Sequence, residues 1–282
     1  MFFIANHPIY NHPLPEGHRF PMLKYELLPK QLLHEGTAEC TDFYSPDSID
    51  LSLVHAVHTV SYVKALTELT LDAKAVRSIG FPLSAALVER ELRIAQGTVV
   101  GCNHALENGI AFNIAGGTHH AFSDRGEAFC LLNDQAIAAQ YLINQKKCHK
   151  ILIVDLDVHQ GNGTAEIFQN NADVITFSMH GQSNYPFRKE TSDYDIPLPD
   201  KTDDTTYLSI LQETLPELLN IHRPDFVFYL AGVDILGTDK LGKLGCTLEG
   251  CKTRDSYVLG LCKSLGIPVQ VSMGGGYSPA IK

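Results

Sequence analysis

Short apolar runs alternate along the chain with longer stretches whose apolar residues recur every three to four positions. The runs Phe2–Ala5, Ile110–Ile114, Ile151–Val154, Val174–Phe177, Phe226–Ala231 and Ile267–Met273 are mostly apolar at consecutive positions, as strands buried on both faces are. Between them, Met22–Leu33, Val60–Leu71, Leu83–Asn108, Asp134–Lys147, Thr205–Asn220 and Leu248–Leu265 have helical periodicity. Strands alternating with helices predict an α/β fold: a single-domain, three-layer α/β/α sandwich around a mostly parallel central sheet. No repeat, low-complexity tract or linker divides residues 1–282, so one domain is expected. Pro216 lies inside the Thr205–Asn220 pattern, and that helix is expected to bend or restart there because proline removes a hydrogen bond and crowds the preceding turn.

Composition narrows the classes. The 282 residues are 44% hydrophobic and 19% charged, enough to bury a core and too apolar for a disordered chain. Lys and Arg total 22 against 32 Asp and Glu, a net charge of −10 that disfavours direct nucleic-acid binding and mildly favours a cationic partner. The seven cysteines are scattered without a C-x-x-C pair, which points to reduced thiols and a cytoplasmic location. The N-terminus lacks the pattern of a signal peptide, and no run approaches 18 apolar residues. No membrane association is expected.

The strongest chemical signal is Ile151-Leu152-Ile153-Val154-Asp155-Leu156-Asp157-Val158-His159, an apolar strand whose end carries polar groups at every second position, all facing one side. On an extended strand Asp157 and His159 lie about 6.6 Å apart, close enough to share an ion, whereas Asp155 is about 13 Å from His159 and suits an outer supporting role unless the chain curls. A D-x-D alone is as easily a solvated strand end. A second strand, however, ends in Gly232-Val233-Asp234, and ligands of open parallel sheets bind beyond the strands' carboxyl ends. Asp157, His159 and Asp234 therefore make a candidate metal site with open positions, as in catalytic rather than structural centres. Gly116-Gly117-Thr118-His119-His120 ends another strand and sets adjacent imidazoles suited to proton transfer. Gly274-Gly275-Gly276-Tyr277 ends a further one. Its glycines lack a nucleotide-binding pattern, and Tyr277, taken alone, fits core and catalysis equally.

Taken together, these segments, with Asp155-Leu156-Asp157-Val158-His159-Gln160-Gly161-Asn162-Gly163-Thr164, resemble the histone deacetylase family almost end to end. His18-Arg19-Phe20-Pro21-Met22 and Ser123-Asp124-Arg125-Gly126-Glu127-Ala128-Phe129-Cys130 look like its class IV branch and bacterial relatives. The resemblance implies the arginase/deacetylase-like fold and zinc-dependent removal of acyl groups from amines. By motif, Asp157, His159 and Asp234 would hold Zn2+, with Fe2+ also admitted by that ligand set. His120 would be general base and then acid, His119 would stabilise charge, and Tyr277 would donate to the oxyanion. Asp155 would orient His119, and Asn162 stands where many members place an aspartate against His120. The resemblance also implies substrate contacts from Phe129, Tyr185 and Gly275, and a structural K+ or Na+ at Asp155, Asp157, His159, Ser178 and Met179. A second such ion would sit near Phe168, Asn171 and Val174, and Arg19 would line an internal product channel.

Two departures qualify the resemblance. Arg77-Ser78-Ile79-Gly80-Phe81-Pro82 has no aspartate to clamp a substrate backbone, and the sequence stops five residues after Tyr277, where relatives continue into another helix. The expected activity is hydrolysis of acyl-lysine in a peptide or protein, or of a similar acylated amine. Acetylated polyamines, long-chain acyl groups and a non-catalytic acyl-binding module are the alternatives. A two-manganese ureohydrolase would need Asp/His motifs the chain lacks. Oligomeric state is not readable from the sequence.

Overall fold

The computed structural model describes residues 2–278. Among them, strands β1 (Ile4–Ala5), β2 (Phe43–Tyr44), β3 (Ile110–Asn113), β4 (Ile151–Asp155), β5 (Val174–Gly181), β6 (Tyr194–Leu198), β7 (Phe226–Leu230) and β8 (Val269–Ser272) form one sheet ordered β2-β1-β3-β8-β7-β4-β5-β6. Every pairing is parallel, so the mixed character allowed by "mostly parallel" is absent from the described residues. The helices are α1 (Lys24–His34), α2 (Leu51–Val54), α3 (Val60–Thr67), α4 (Ala73–Ile79), α5 (Ala85–Asn108), α6 (Asp134–Asn144), α7 (Asn162–Phe168), α8 (Asp204–His222) and α9 (Leu248–Leu265).

Alternation within the central strands divides the interior into two cores. Ile151 and Ile153 of β4, with Phe226 and Phe228 of β7, pack with α5 and α6 residues such as Ile94, Val99, Ile137 and Leu142. Their neighbours Leu152, Val154, Val227 and Tyr229 face Leu211 and Leu215 of α8 and Val258 and Cys262 of α9. Burial on both faces is why these runs are continuously apolar. Ser84 starts α5, its Oγ accepting from Leu87 N at 3.1 Å. The helix α8 neither stops nor restarts at Pro216. The carbonyl of Gln212, left without an amide partner by the proline, accepts a hydrogen bond from Tyr257 Oη at 3.4 Å. No helix among the described residues is long and apolar enough to cross a membrane.

Candidate active site

The ends of β8, β7 and β4 lie side by side, and the candidate side chains gather just beyond them, where parallel sheets open a crevice. The extended strand expected through His159 ends earlier. β4 stops at Asp155, and residues 157–159 bend. The aspartates themselves cause the bend: Asp155 Oδ1 accepts from Asp157 N at 3.1 Å, and Asp157 Oδ1 from His159 N at 2.9 Å. Such side-chain bonds to the second following amide compete with strand pairing. They fold Asp157 and His159 toward Asp234 and bring Asp155 under His119.

Asp157, His159 and Asp234 are all buried, with one ligand atom from each within 4.8 Å of the others. His159 Nδ1 lies 3.0 Å from Asp157 Oδ1 and 3.2 Å from Asp234 Oδ2. Neighbouring ligand atoms of a tetrahedral ion with bonds near 2.0–2.1 Å stand about 3.3 Å apart, so these side chains fit one. The remaining carboxylate oxygens are held by backbone: Asp157 Oδ2 accepts from Gly275 N at 2.8 Å, and Asp234 Oδ1 from Val158 N at 3.0 Å. Asp234 Oδ2 alone is buried without a donor, since the hydrogen bond from the imidazole goes to Asp157. Burial, then the charge of Asp157, raises the Asp234 carboxyl to about 6. Burial opposes the His159 cation, yet the adjoining Asp157 and Asp234 carboxylates lift its pKa to about 10. The cluster favours positive charge at its centre, of the kind a divalent ion would supply.

Beside it, His119 and His120 have ring centroids 4.0 Å apart and opposite surroundings. His119 Nδ1 lies 2.7 Å from Asp155 Oδ2. Burial disfavours its cation, but Asp155 and Asp157 outweigh that and raise its pKa. His120 Nδ1 lies 2.6 Å from Asn162 Oδ1, and burial, with repulsion from His119 and His159, drives its pKa well below the ordinary value. One imidazole favours the proton while its neighbour excludes it. Tyr277 is held at its amide by Asp239 Oδ2, 2.6 Å away, with its ring centroid 6.3 Å from that of His159. Burial, then Asp157 and Asp234, raises its hydroxyl pKa, keeping it a donor. Gly275 must be glycine: a Cβ there would stand 2.0 Å from Asp234 Oδ2.

A narrow cavity joins His119, His120, Asp157, Gly275 and Tyr277 to Phe20 and Phe129. Phe129 is backed by residues 78–81: its amide donates to Ile79 O at 2.6 Å, and its ring lies 5.1 Å from that of Phe81. Tyr185 packs edge-on to His120 with centroids 4.9 Å apart and donates to Glu127 Oε2 at 2.6 Å. Ser178 and Met179 lie on β5 beside the end of β4. Phe168 ends α7, and Asn171 N donates to Phe168 O at 2.9 Å just before Val174 opens β5. Arg19 is not among the residues lining the cavity. It is exposed, its guanidinium 5.0 Å from the Phe129 ring centroid, whereas the arginine lining the inner cavity is Arg90, 2% exposed and 4.9 Å from the Tyr25 ring centroid.

Three residues of the site carry no signal in the sequence. Asp134, at the start of α6, accepts from Gly117 N and Thr118 N, each at 2.9 Å, and from Thr98 Oγ1 at 2.7 Å, so it shapes the loop that delivers His119 and His120. Asp239 holds Tyr277 as above, and Arg90 lines the cavity. Each acts across a large sequence separation, which no local spacing reveals.

Comparison with known proteins finds a matching family and a shared fold. The histone deacetylase domain family matches residues 18–281. An uncharacterized protein of Picosynechococcus sp. strain PCC 7002 is 47% identical over 280 residues, covering 99% of this chain and 93% of that protein. Histone deacetylase 2 of Arabidopsis thaliana is 28% identical over 271 residues, covering 92% of this chain and 70% of that protein. Among solved structures, an HDAC homolog complexed with SAHA superposes with a TM-score of 0.85 at 23% identity, over 98% of this chain and 79% of the other. An HDAC homolog from Aquifex aeolicus gives 0.85 at 24%, over 99% and 79%. At those identities the structures establish the shared fold.

Proposed function

This chain belongs to the histone deacetylase family, which supports a deacetylase function, and from that premise and the site geometry we propose a zinc-dependent deacylase acting on acyl-lysine or a similar acylated amine. The observation that carries the reading is the meeting, beside one cavity, of a three-ligand cluster, two imidazoles of opposite proton preference and a buried phenol.

Asp157, His159 and Asp234 would hold the ion, which when bound supplies Lewis acidity toward the amide carbonyl and an attacking water. His120 is neutral at pH 7, and with Nδ1–H donated to Asn162 its Nε2 is left as the acceptor. It takes the proton from water during attack and returns it to the departing amine. His119, whose protonated form is favoured by Asp155 and Asp157 against burial, would stabilise negative charge beside it. Tyr277 donates its hydroxyl proton in a hydrogen bond to the developing oxyanion, a contribution of about 3 kcal/mol. Phe129 and Phe20, which line the cavity, would flank the alkyl stem of a lysine, with Tyr185 beside them against His120. At the inner end, Tyr25, Arg90 and Ile94 set a buried guanidinium where a long apolar tail would run, favouring short acyl groups. Scattered, unpaired cysteines support a reducing, cytoplasmic location.

Metal content and turnover of an acetyl-lysine peptide, measured for wild type and Tyr277→Phe, test the reading. We expect one divalent ion per chain in both and kcat lower by about 10²- to 10³-fold in the variant. Full activity with metal retained would remove Tyr277 from the chemistry. An acyl-length panel on peptide and polyamine carriers identifies the substrate, and binding without hydrolysis of any member would make the chain a binding module.

A further inference from the structure

We infer that Arg254, on α9, is a positioning residue that ties together the two strand ends carrying Asp157 and Asp234. The inference rests on the metal-centre reading above and assigns that centre a support outside the cavity.

β4 and β7 pair in register up to Asp155 and Leu230, and one further bond, Leu156 N to Leu230 O at 3.1 Å, closes the ladder. Beyond it the backbones part, one to carry Asp157 and the other Asp234. The guanidinium of Arg254 takes carbonyls on both sides of that parting: Nη1 donates to Leu156 O at 3.1 Å and Gly232 O at 2.6 Å, and Nη2 to Ala231 O at 3.2 Å. Nε reaches Asp255 Oδ1 at 2.9 Å, with Nη2 2.8 Å from the same oxygen. A guanidinium has five N–H donors in a rigid plane, and four of them make these hydrogen bonds. Leu156 directly precedes Asp157, and Gly232 lies two residues before Asp234. One fully buried side chain thus sets the spacing of the two segments from which ligands on different strands converge.

Packing alone does not account for this arrangement, because an apolar side chain of similar length would fill the space yet leave two buried carbonyls and a half-buried one without their donors, at a cost. Lysine would keep the charge and lose the planar fork. The expected consequence is therefore graded: the ligand cluster survives in Arg254→Lys with reduced precision and loosens further in Arg254→Met.

The test is the equilibrium affinity of the chelator-stripped chain for Zn2+ by competition, together with the visible absorption of the Co2+-loaded chain, which reports ligand geometry. Leu215→Ala, a core truncation on α8, serves as a control for general destabilisation. We expect Arg254→Met to bind Zn2+ about 10- to 100-fold more weakly, the range seen when residues behind metal ligands are removed, with an altered Co2+ spectrum. Arg254→Lys should fall between it and wild type, and Leu215→Ala should melt earlier with unchanged affinity. A folded Arg254→Met with wild-type affinity and spectrum would overturn the inference, as would equal weakening in Leu215→Ala. Should Arg254→Met not fold, Arg254→Lys decides: weakened binding supports the role and unchanged binding refutes it. Failure of the wild type to bind Zn2+ would instead sink the metal-centre reading, and this inference with it.

Discussion

Replacing Asn162 with aspartate asks directly whether His120 is the base. The structure holds its own reference, because His119 and His120 are neighbours in one buried environment, each with a side-chain oxygen on Nδ1, at 2.7 and 2.6 Å. Where that oxygen belongs to a carboxylate the pKa is raised, and where it belongs to an amide it is lowered. A carboxylate charge about 4 Å from the imidazolium charge, at an effective dielectric near 20, favours the cation by about 4 kcal/mol, or roughly 3 pK units. Desolvating the new carboxylate takes part of this back, so Asn162→Asp should raise the His120 pKa by about 1–3 units. A base works only when neutral, so activity is lost as pH falls through its pKa, and raising that pKa moves the loss to higher pH. The assay is the pH dependence of kcat/KM, which reports the free enzyme. Its acid limb should shift upward by about 1–3 units, with activity recovering in alkaline buffer. Asn162→Ala, which removes the ring's orientation and adds no charge, should lower the plateau more than it moves the limb. An unmoved limb in an active, folded Asn162→Asp enzyme would show that His120 is not the group whose protonation stops turnover.

Two further substitutions test the framework around these groups. Gly275→Ala would set a Cβ 2.0 Å from Asp234 Oδ2 and 2.7 Å from Asp157 Oδ2. It should therefore abolish stoichiometric metal binding, and a variant isolated with one ion per chain would refute the geometry. Asp134→Asn would turn an amide donor toward at least one of the groups that now donate to the carboxylate. That should destabilise the fold by about 1–3 kcal/mol, read as a lower urea midpoint at unchanged slope, and an unmoved midpoint would show that the loop before His119 is held by other contacts.

The pattern of apolar residues exposed the central strands because both faces of β4 and β7 are buried, leaving no polar position to interrupt the signal. The edges were illegible for the opposite reason. β2 is only two residues long, and β6 carries Pro197 with a mostly half-buried pattern, as suits a strand paired on one side. The same contrast governs the site. Asp157, His159, His119 and His120 stand out because each lies in a short segment whose spacing is chemically unusual. Even there the extended strand drawn through His159 was the wrong local geometry, since two aspartates bend the chain by bonding their own backbone.

Residues that hold the reactive groups look ordinary in one dimension. Asp134 reads as an acidic residue in the first turn of a helix, favourable on dipole grounds alone, and Asp239 as a loop acid. Arg90 reads as a charge on the polar face of α5, while the exposed Arg19 sits in the more suggestive motif. What distinguishes them is distant partners: 16 to 138 positions away in sequence for Asp134, 38 for Asp239, and for Arg90 a backbone carbonyl 80 positions distant. Chemistry concentrated in adjacent residues survives projection onto a sequence. Positioning assembled from distant segments does not, so the residues a sequence hides are the ones whose substitution should alter precision before it alters chemistry.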